Sequence, residues 1–79
     1  MAWRVVEHGD RRWSVTIAAE RRANSAVWNL VFSFRCTSTG RQSFWVTYPL
    51  SSASKAALFA QAEQLSNDTL TAFLSQHLD

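Results

Sequence analysis

Alternation of apolar and polar residues with a period of two constrains the fold of this chain more than any other feature. It occurs in residues 13–19, 28–34 and 44–48, and in a shorter form in residues 3–7. The in-phase apolar residues are Trp3 and Val5, then Trp13, Val15, Ile17 and Ala19, then Trp28, Leu30, Phe32 and Phe34, and finally Phe44, Val46 and Tyr48. Successive side chains of a β-strand point to opposite faces, so this period predicts four half-buried strands.

The three segments between these strands are short and contain turn-forming residues. They comprise residues 8–11, 21–25 and 37–41. Short connections favour antiparallel pairing between strands that follow one another in the chain. The sequence therefore predicts an antiparallel meander with the strand order 1-2-3-4.

Keeping the apolar residues on one face also predicts the pairing register, because a slip of one residue would move them all to the other face. The first loop must then have an odd length, such as Gly9-Asp10-Arg11, the second an even length, and the third is centred on Thr39. The expected cross-strand partners are Val5 with Val15, Trp3 with Ile17, Ile17 with Leu30, Val15 with Phe32, Phe34 with Phe44, and Phe32 with Val46.

The period changes after Tyr48, and Pro49 is expected to end the fourth strand because it has no N–H for the ladder. Ser51 and Ser52 are suitable helix N-caps, and apolar residues at helical spacing follow them. We therefore expect one α+β domain over residues 1–79, with a sheet at about 2–48 and two C-terminal helices at about 52–65 and 68–78. Both helices are expected to pack on the apolar face of the sheet.

Composition and charge narrow the class of protein. The 79 residues suffice for one domain, and four Trp, five Phe and one Tyr can build a core without a metal or a disulfide. Residues 1–55 carry a net charge of +5 and residues 56–79 a net charge of −3. No apolar run matches a signal peptide or a membrane span, so we expect a cytoplasmic protein with no membrane partner.

Residues with catalytic or metal-binding chemistry are few and scattered. His8 and His77 have no second ligand at a metal-like spacing, and the single cysteine, Cys36, has no histidine or carboxylate beside it in sequence. Gly9 and Gly40 are isolated, so no phosphate-cradling loop is present. We predict no catalytic, cofactor-binding or metal-binding residue, no evident small-molecule site, and a protein that is not an enzyme.

The other face of the predicted sheet has an unusual composition for a surface in contact with solvent. It carries Trp and Val at positions that should be polar, together with several arginines and almost no acid. In the predicted register Arg12 and Arg35 lie opposite each other and would repel unless an anion or a carboxylate intervenes. The candidate interaction surface comprises Arg4, Arg12, Val31, Arg35 and Trp45.

Two functions fit this surface. The first is a small non-catalytic protein-interaction module that self-associates, for example as a homodimer, through this face or through the edge strands. The second is a single-stranded nucleic-acid-binding domain, in which Trp45 stacks on bases and Arg4, Arg12, Arg35 and Arg41 contact phosphates. In architecture alone, a curved four-stranded sheet followed by a helix resembles the Whirly single-strand-binding fold. We expect the protein partner rather than the nucleic acid.

Overall fold

The four predicted strands and two helices are all present in the computed structural model, which describes residues 3–38 and 42–78. The elements are β1 (Arg4–His8), β2 (Arg11–Glu20), β3 (Trp28–Cys36), β4 (Ser43–Ser52), α1 (Lys55–Ala62) and α2 (Asn67–Leu78). The strands form one antiparallel sheet with the order β1-β2-β3-β4. The predicted α+β meander is confirmed, while Thr39, the expected centre of the third loop, lies outside the described residues.

The first hairpin has a two-residue loop instead of the odd-length loop that we predicted. His8 pairs with Arg11, and Gly9 between them has a φ of 64°. Glycine at the first central position with a positive φ is the signature of the tight type II′ hairpin turn. The even loop length shifts the register by one residue, so that Val5 pairs with Ser14 and not with Val15.

This shift exchanges the two faces of β1. Val6 becomes a core residue at 3% exposure, while the side chain of Val5 is 48% exposed. Trp3, which we expected opposite Ile17, donates its backbone N–H to the Val15 carbonyl at 2.9 Å. The predicted register between strands one and two was therefore wrong, and the tight turn is the physical reason.

The register between β2 and β3 differs from the prediction by two residues. Ile17 pairs with Phe32 and Val15 with Phe34, whereas we expected Leu30 and Phe32 as their partners. The loop before β3 contains Asn24 with a φ of 67°, a left-handed conformation that asparagine tolerates. A shift of two residues changes neighbours but keeps every side chain on its predicted face.

The fourth strand continues through Pro49 and ends at Ser52, so the prediction that Pro49 ends it was wrong. The β3–β4 pairs from Phe34 with Phe44 to Leu30 with Tyr48 include both predicted pairs, and an irregularity follows at Asn29/Leu30. Because β4 is at the edge of the sheet, Pro49 can occupy it without removing a hydrogen bond from a central ladder.

The longer strand delays the first helix relative to the predicted start at about residue 52. Ser54, and not Ser51 or Ser52, is the N-cap of α1, and its hydroxyl accepts a hydrogen bond from the Ala57 N–H at 3.2 Å. The Ser66 hydroxyl accepts a hydrogen bond from the Thr69 N–H at 3.1 Å at the start of α2. Serine side chains thus satisfy free N–H groups at the beginning of both helices.

The hydrophobic core lies between the two helices and one face of the sheet, which we call the inner face. Leu58, Ala62, Leu70 and Leu74 are the fully buried residues of the helices. Phe32 is fully buried at the centre of the sheet. Its ring contacts four other rings, with centroid distances of 6.2 Å to Trp3, 5.7 Å to Phe34, 5.1 Å to Tyr48 and 5.8 Å to Phe73. The expectation that the helices cover the apolar face is confirmed.

Arg4 joins β1 to the connection between the helices, although we predicted it on the opposite face. Its guanidinium donates hydrogen bonds to the carbonyl oxygens of Glu63, at 2.8 Å, and of Leu65. It also donates to the Asn67 side-chain oxygen at 3.2 Å and lies 4.5 Å from the ring centroid of Trp3. The guanidinium therefore supplies donors to carbonyl groups that follow the end of α1 and have no helical partner.

We expect Phe32→Ala to lower the free energy of unfolding by about 3–5 kcal/mol, because it removes the ring shared by four aromatic contacts and leaves a cavity. Urea denaturation followed by circular dichroism measures this change. The control is Ser33→Ala on the other face, for which we expect a change of at most about 0.5 kcal/mol. A loss below about 1 kcal/mol for Phe32→Ala would show that this ring is not at the centre of the core.

We expect Arg4→Met, which keeps the apolar stem and removes the donors, to lower the free energy of unfolding by about 1–3 kcal/mol. Arg12→Met is a matched control, because the Arg12 side chain forms a solvent-exposed ion pair whose loss should cost less than about 1 kcal/mol. The same denaturation measurement compares the two variants. Equal small losses would contradict the bridging role of Arg4.

Candidate interaction surface

The sheet face opposite the helices, which we call the outer face, is organised in rows of cross-strand neighbours. The rows are Val5, Ser14, Arg35 and Ser43, then Thr16, Ser33 and Trp45, then Ala18, Val31 and Thr47, and then Glu20 and Asn29. A further pair, Glu7 and Arg12, lies beyond the first row. Most of these side chains are small, and the residues of the core cluster all lie on the inner side. The outer face is therefore not covered by either helix.

Trp45 is the large apolar side chain that projects from this face. It lies on the edge strand β4, alternates with Phe44 and Val46 of the inner side, and is 70% exposed. Its cross-strand neighbour is Ser33, whose own neighbour on β2 is Thr16. An indole standing beside small hydroxyl side chains offers a broad apolar contact area, as interface residues do.

Val31 lies on the outer face as predicted but is only 7% exposed. It is not a member of the inner core cluster, and its cross-strand neighbours are Ala18 and Thr47. Val31 therefore contributes little area of its own to a contact surface. It forms the floor beside Trp45 rather than a second projecting group.

Arg12 and Arg35 are not opposite each other, so that prediction was wrong. The two-residue shift between β2 and β3 pairs Arg35 with Ser14, and Arg12 lies opposite Glu7. The Arg12 Nη2 atom is 3.4 Å from the Glu7 Oε1 atom, which forms an exposed ion pair. The charge of Arg12 is thus compensated within the chain, and the repulsion that we expected between two arginines does not arise.

Arg35 and Glu20 are the two exposed charges that have no ion-pair partner among the described residues of the outer face. Arg35 lies in the first row and Glu20 in the last, six positions along β2 from Ser14. At about 3.4 Å per residue, the two ends of the face are about 20 Å apart. The outer face therefore carries one positive end, one negative end and Trp45 between them.

Four of the five residues predicted for this surface lie on the outer face or at its rim, namely Arg12, Val31, Arg35 and Trp45. The fifth, Arg4, lies on the inner side and contacts the connection between the helices. The sequence contained a signal that would have corrected this assignment. Gly9-Asp10 is a typical two-residue hairpin loop, and applying that length would have moved Arg4 and Val6 to the inner side. The position of Glu20 at the far end of the outer face could not be predicted from the local sequence, because it depends on the register of β2 against β3.

Histidine, cysteine and carboxylate side chains do not form a metal-binding cluster in the described parts of the chain. No three His, Cys, Asp or Glu residues within 3–38 and 42–78 come together to hold a metal ion. Cys36 is buried, and its Sγ atom is 3.7 Å from the Ser38 hydroxyl. Neither of the two described helices is long and apolar enough to cross a bilayer.

Comparisons with protein-family models, with curated proteins and with solved structures found no significant match to this chain.

Proposed function

We propose that this protein is a small non-catalytic interaction module that self-associates through the outer face of its sheet. The observation that carries the proposal is the 70% exposure of Trp45 on a sheet face that the helices leave uncovered. An exposed tryptophan beside small side chains on an uncovered sheet face is typical of an interface, because it gains much apolar contact when a partner excludes water. The chemistry of the face favours a second copy of the chain as that partner.

Charge complementarity is the argument for a second copy. A two-fold axis that runs across the strands reverses the strand direction of the partner sheet. The Arg35 end of one copy then lies over the Glu20 end of the other, and the same contact forms twice. Glu7 is less suitable as the acidic partner, because it already pairs with Arg12 in its own chain.

The same arrangement accommodates Trp45. Its row lies second along the face, and reversal places it over the third row of the other copy, which consists of Ala18, Val31 and Thr47. These small side chains leave room for an indole, and the buried Val31 gives it an apolar floor. Large against small is how two sheet faces interdigitate.

The size of the face sets the expected strength of the dimer. Four strands spaced about 4.8 Å apart and a length of about 20 Å give a flat area of about 400 Å² per copy. This is small beside the roughly 800 Å² per partner of a standard stable interface. We therefore expect a weak dimer with a dissociation constant in the micromolar range.

The alternative function, binding of single-stranded nucleic acid, has lost two of its proposed contacts. Arg4 is engaged with the helix connection, and Arg12 is paired with Glu7. Arg35 and Trp45 remain on the outer face, and Arg41 lies outside the described residues. Binding along a nucleic-acid strand uses a basic groove and several stacking rings. Binding of single-stranded nucleic acid therefore remains the alternative hypothesis, which the experiments below also test.

Sedimentation equilibrium over low to high micromolar concentrations tests the proposal directly. We expect the wild type to form a dimer, and Trp45→Thr to weaken it by about tenfold or more, because threonine fits a solvent-facing strand but lacks the contact area. Trp45→Phe is the matched control and should retain most of the association. Circular dichroism should be unchanged in both variants.

A charge exchange tests the orientation of the two copies. We expect Arg35→Glu and Glu20→Arg to weaken the dimer separately, and the double variant to restore it, because the attraction is then rebuilt with the signs reversed. Arg11→Glu, at the first hairpin, is the control and should have no effect.

Two results would contradict the proposed function. The first is a wild-type protein that stays monomeric at high micromolar concentration. In that case, salt-dependent quenching of Trp45 by a single-stranded oligonucleotide would favour the alternative. The second is a dimer that Trp45→Thr leaves intact, which would move the interface to another surface such as the uncharged edge of β4.

A further inference from the structure

Two cationic side chains lie against one tryptophan ring at the end of the sheet away from the first hairpin. The Arg21 Cζ atom is 4.8 Å from the ring centroid of Trp28, and the Lys55 Nζ atom is 5.3 Å from the same centroid. Trp28 is half-buried and packs against the inner core, while Arg21 and Lys55 are exposed. The half-buried indole therefore holds two exposed cations near each other.

These cations have no compensating acid in the described part of the chain. They are separated by at most the sum of the two distances, about 10 Å. The one ion pair within residues 3–38 and 42–78 joins Arg12 and Glu7, far along the sheet, and the first turn of α1 contains no acid. Glu20 precedes Arg21 in sequence but lies in the outer-face row with Asn29.

Two exposed like charges within about 10 Å of each other repel, although water and salt screen much of this repulsion. Contact with the electron-rich indole face offsets some of this cost for each cation. Arg22, exposed and next in the chain, adds a third positive charge to the same loop. An anion that contacts both cations would offset this repulsion.

We propose that Arg21, Lys55 and Trp28 form a binding site for a phosphate group. A guanidinium that lies against an aromatic ring keeps its N–H edges free to donate two parallel hydrogen bonds to phosphate oxygens. The ammonium group of Lys55 adds a compact second charge, so that the pair matches a phosphate dianion. Trp28 limits the conformations of both side chains before the ligand arrives, which lowers the entropy lost on binding.

This site is independent of the outer face and of the proposed self-association. Trp28 has the inner phase on β3, and Lys55 begins α1, whereas Trp45 and Arg35 belong to the opposite side of the sheet. The sequence did not predict this site, because residues 21–25 were expected only to form a turn. The topology of the sheet and the start of α1 bring Arg21 and Lys55 to one ring.

An NMR titration with inorganic phosphate tests the site, with sodium chloride of equal ionic strength as the reference. We expect phosphate to shift the Trp28 indole N–H and the Arg21 Nε–H resonances with a dissociation constant of about 1 mM. Arg21→Gln and Lys55→Gln should each weaken binding by about tenfold, because each removes one charge-assisted contact. Arg11→Gln removes an exposed arginine at the first hairpin, which has no part in either proposed site, and should leave phosphate binding unchanged.

A second arm uses a nucleoside monophosphate and distinguishes free phosphate from a phosphate ester. Tighter binding of the ester, lost in both variants, would identify an ester as the ligand class, and equal binding would identify the phosphate group alone. Affinity for the ester should rise between about pH 5 and about pH 7, as its second ionisation completes the dianion. Shifts that chloride reproduces, or binding that survives in both variants, would overturn the proposal.

Discussion

The fold depends on a mismatch between a four-stranded sheet, which has two faces, and two short helices, which can cover only one of them. Every large ring that the alternation selects on β2, β3 and β4 lies on the inner side, where Phe32 contacts rings from the sheet and from α2. Burying such a ring contributes about 1.5–3 kcal/mol, so this face captures most of the hydrophobic stabilisation that the chain can obtain. The outer face is left with small side chains, a few charged ones and the exposed Trp45.

Loop length explains which parts of the fold could be predicted from the sequence. The period of two located all four strands, and the predicted register of β3 with β4 was also correct. The period does not determine loop length, and the loop lengths set the registers of β1 with β2 and of β2 with β3. An error of two residues between β2 and β3 changed neighbours, whereas an error of one residue between β1 and β2 exchanged faces. Because of this one-residue error, Arg4 was predicted on the outer face, whereas it contacts the connection between the helices.

The sequence predicted which sheet face most of the surface residues occupy, but it did not predict their neighbours on adjacent strands. Trp45 and Arg35 are exposed on the outer face, as their phase on β4 and β3 requires. The pairing of Arg12 with Glu7, the burial of Val31 and the isolation of Glu20 depend on cross-strand neighbours, which the alternation leaves open. The grouping of Arg21 and Lys55 on Trp28 depends on contacts between distant parts of the chain, for which no periodicity exists.

The central claim is that the outer face is open in one copy of the chain and is closed by a second copy. Hydrogen exchange of the tryptophan indole N–H groups, followed by NMR over a range of protein concentrations, tests it most directly. The Trp13 indole is fully buried and should exchange slowly at every concentration, which makes it the internal reference. We expect the Trp45 indole to exchange fast in dilute solution and progressively more slowly as the concentration rises. A Trp45 indole that is protected in dilute solution, or that exchanges at the same fast rate at every concentration, would contradict this account.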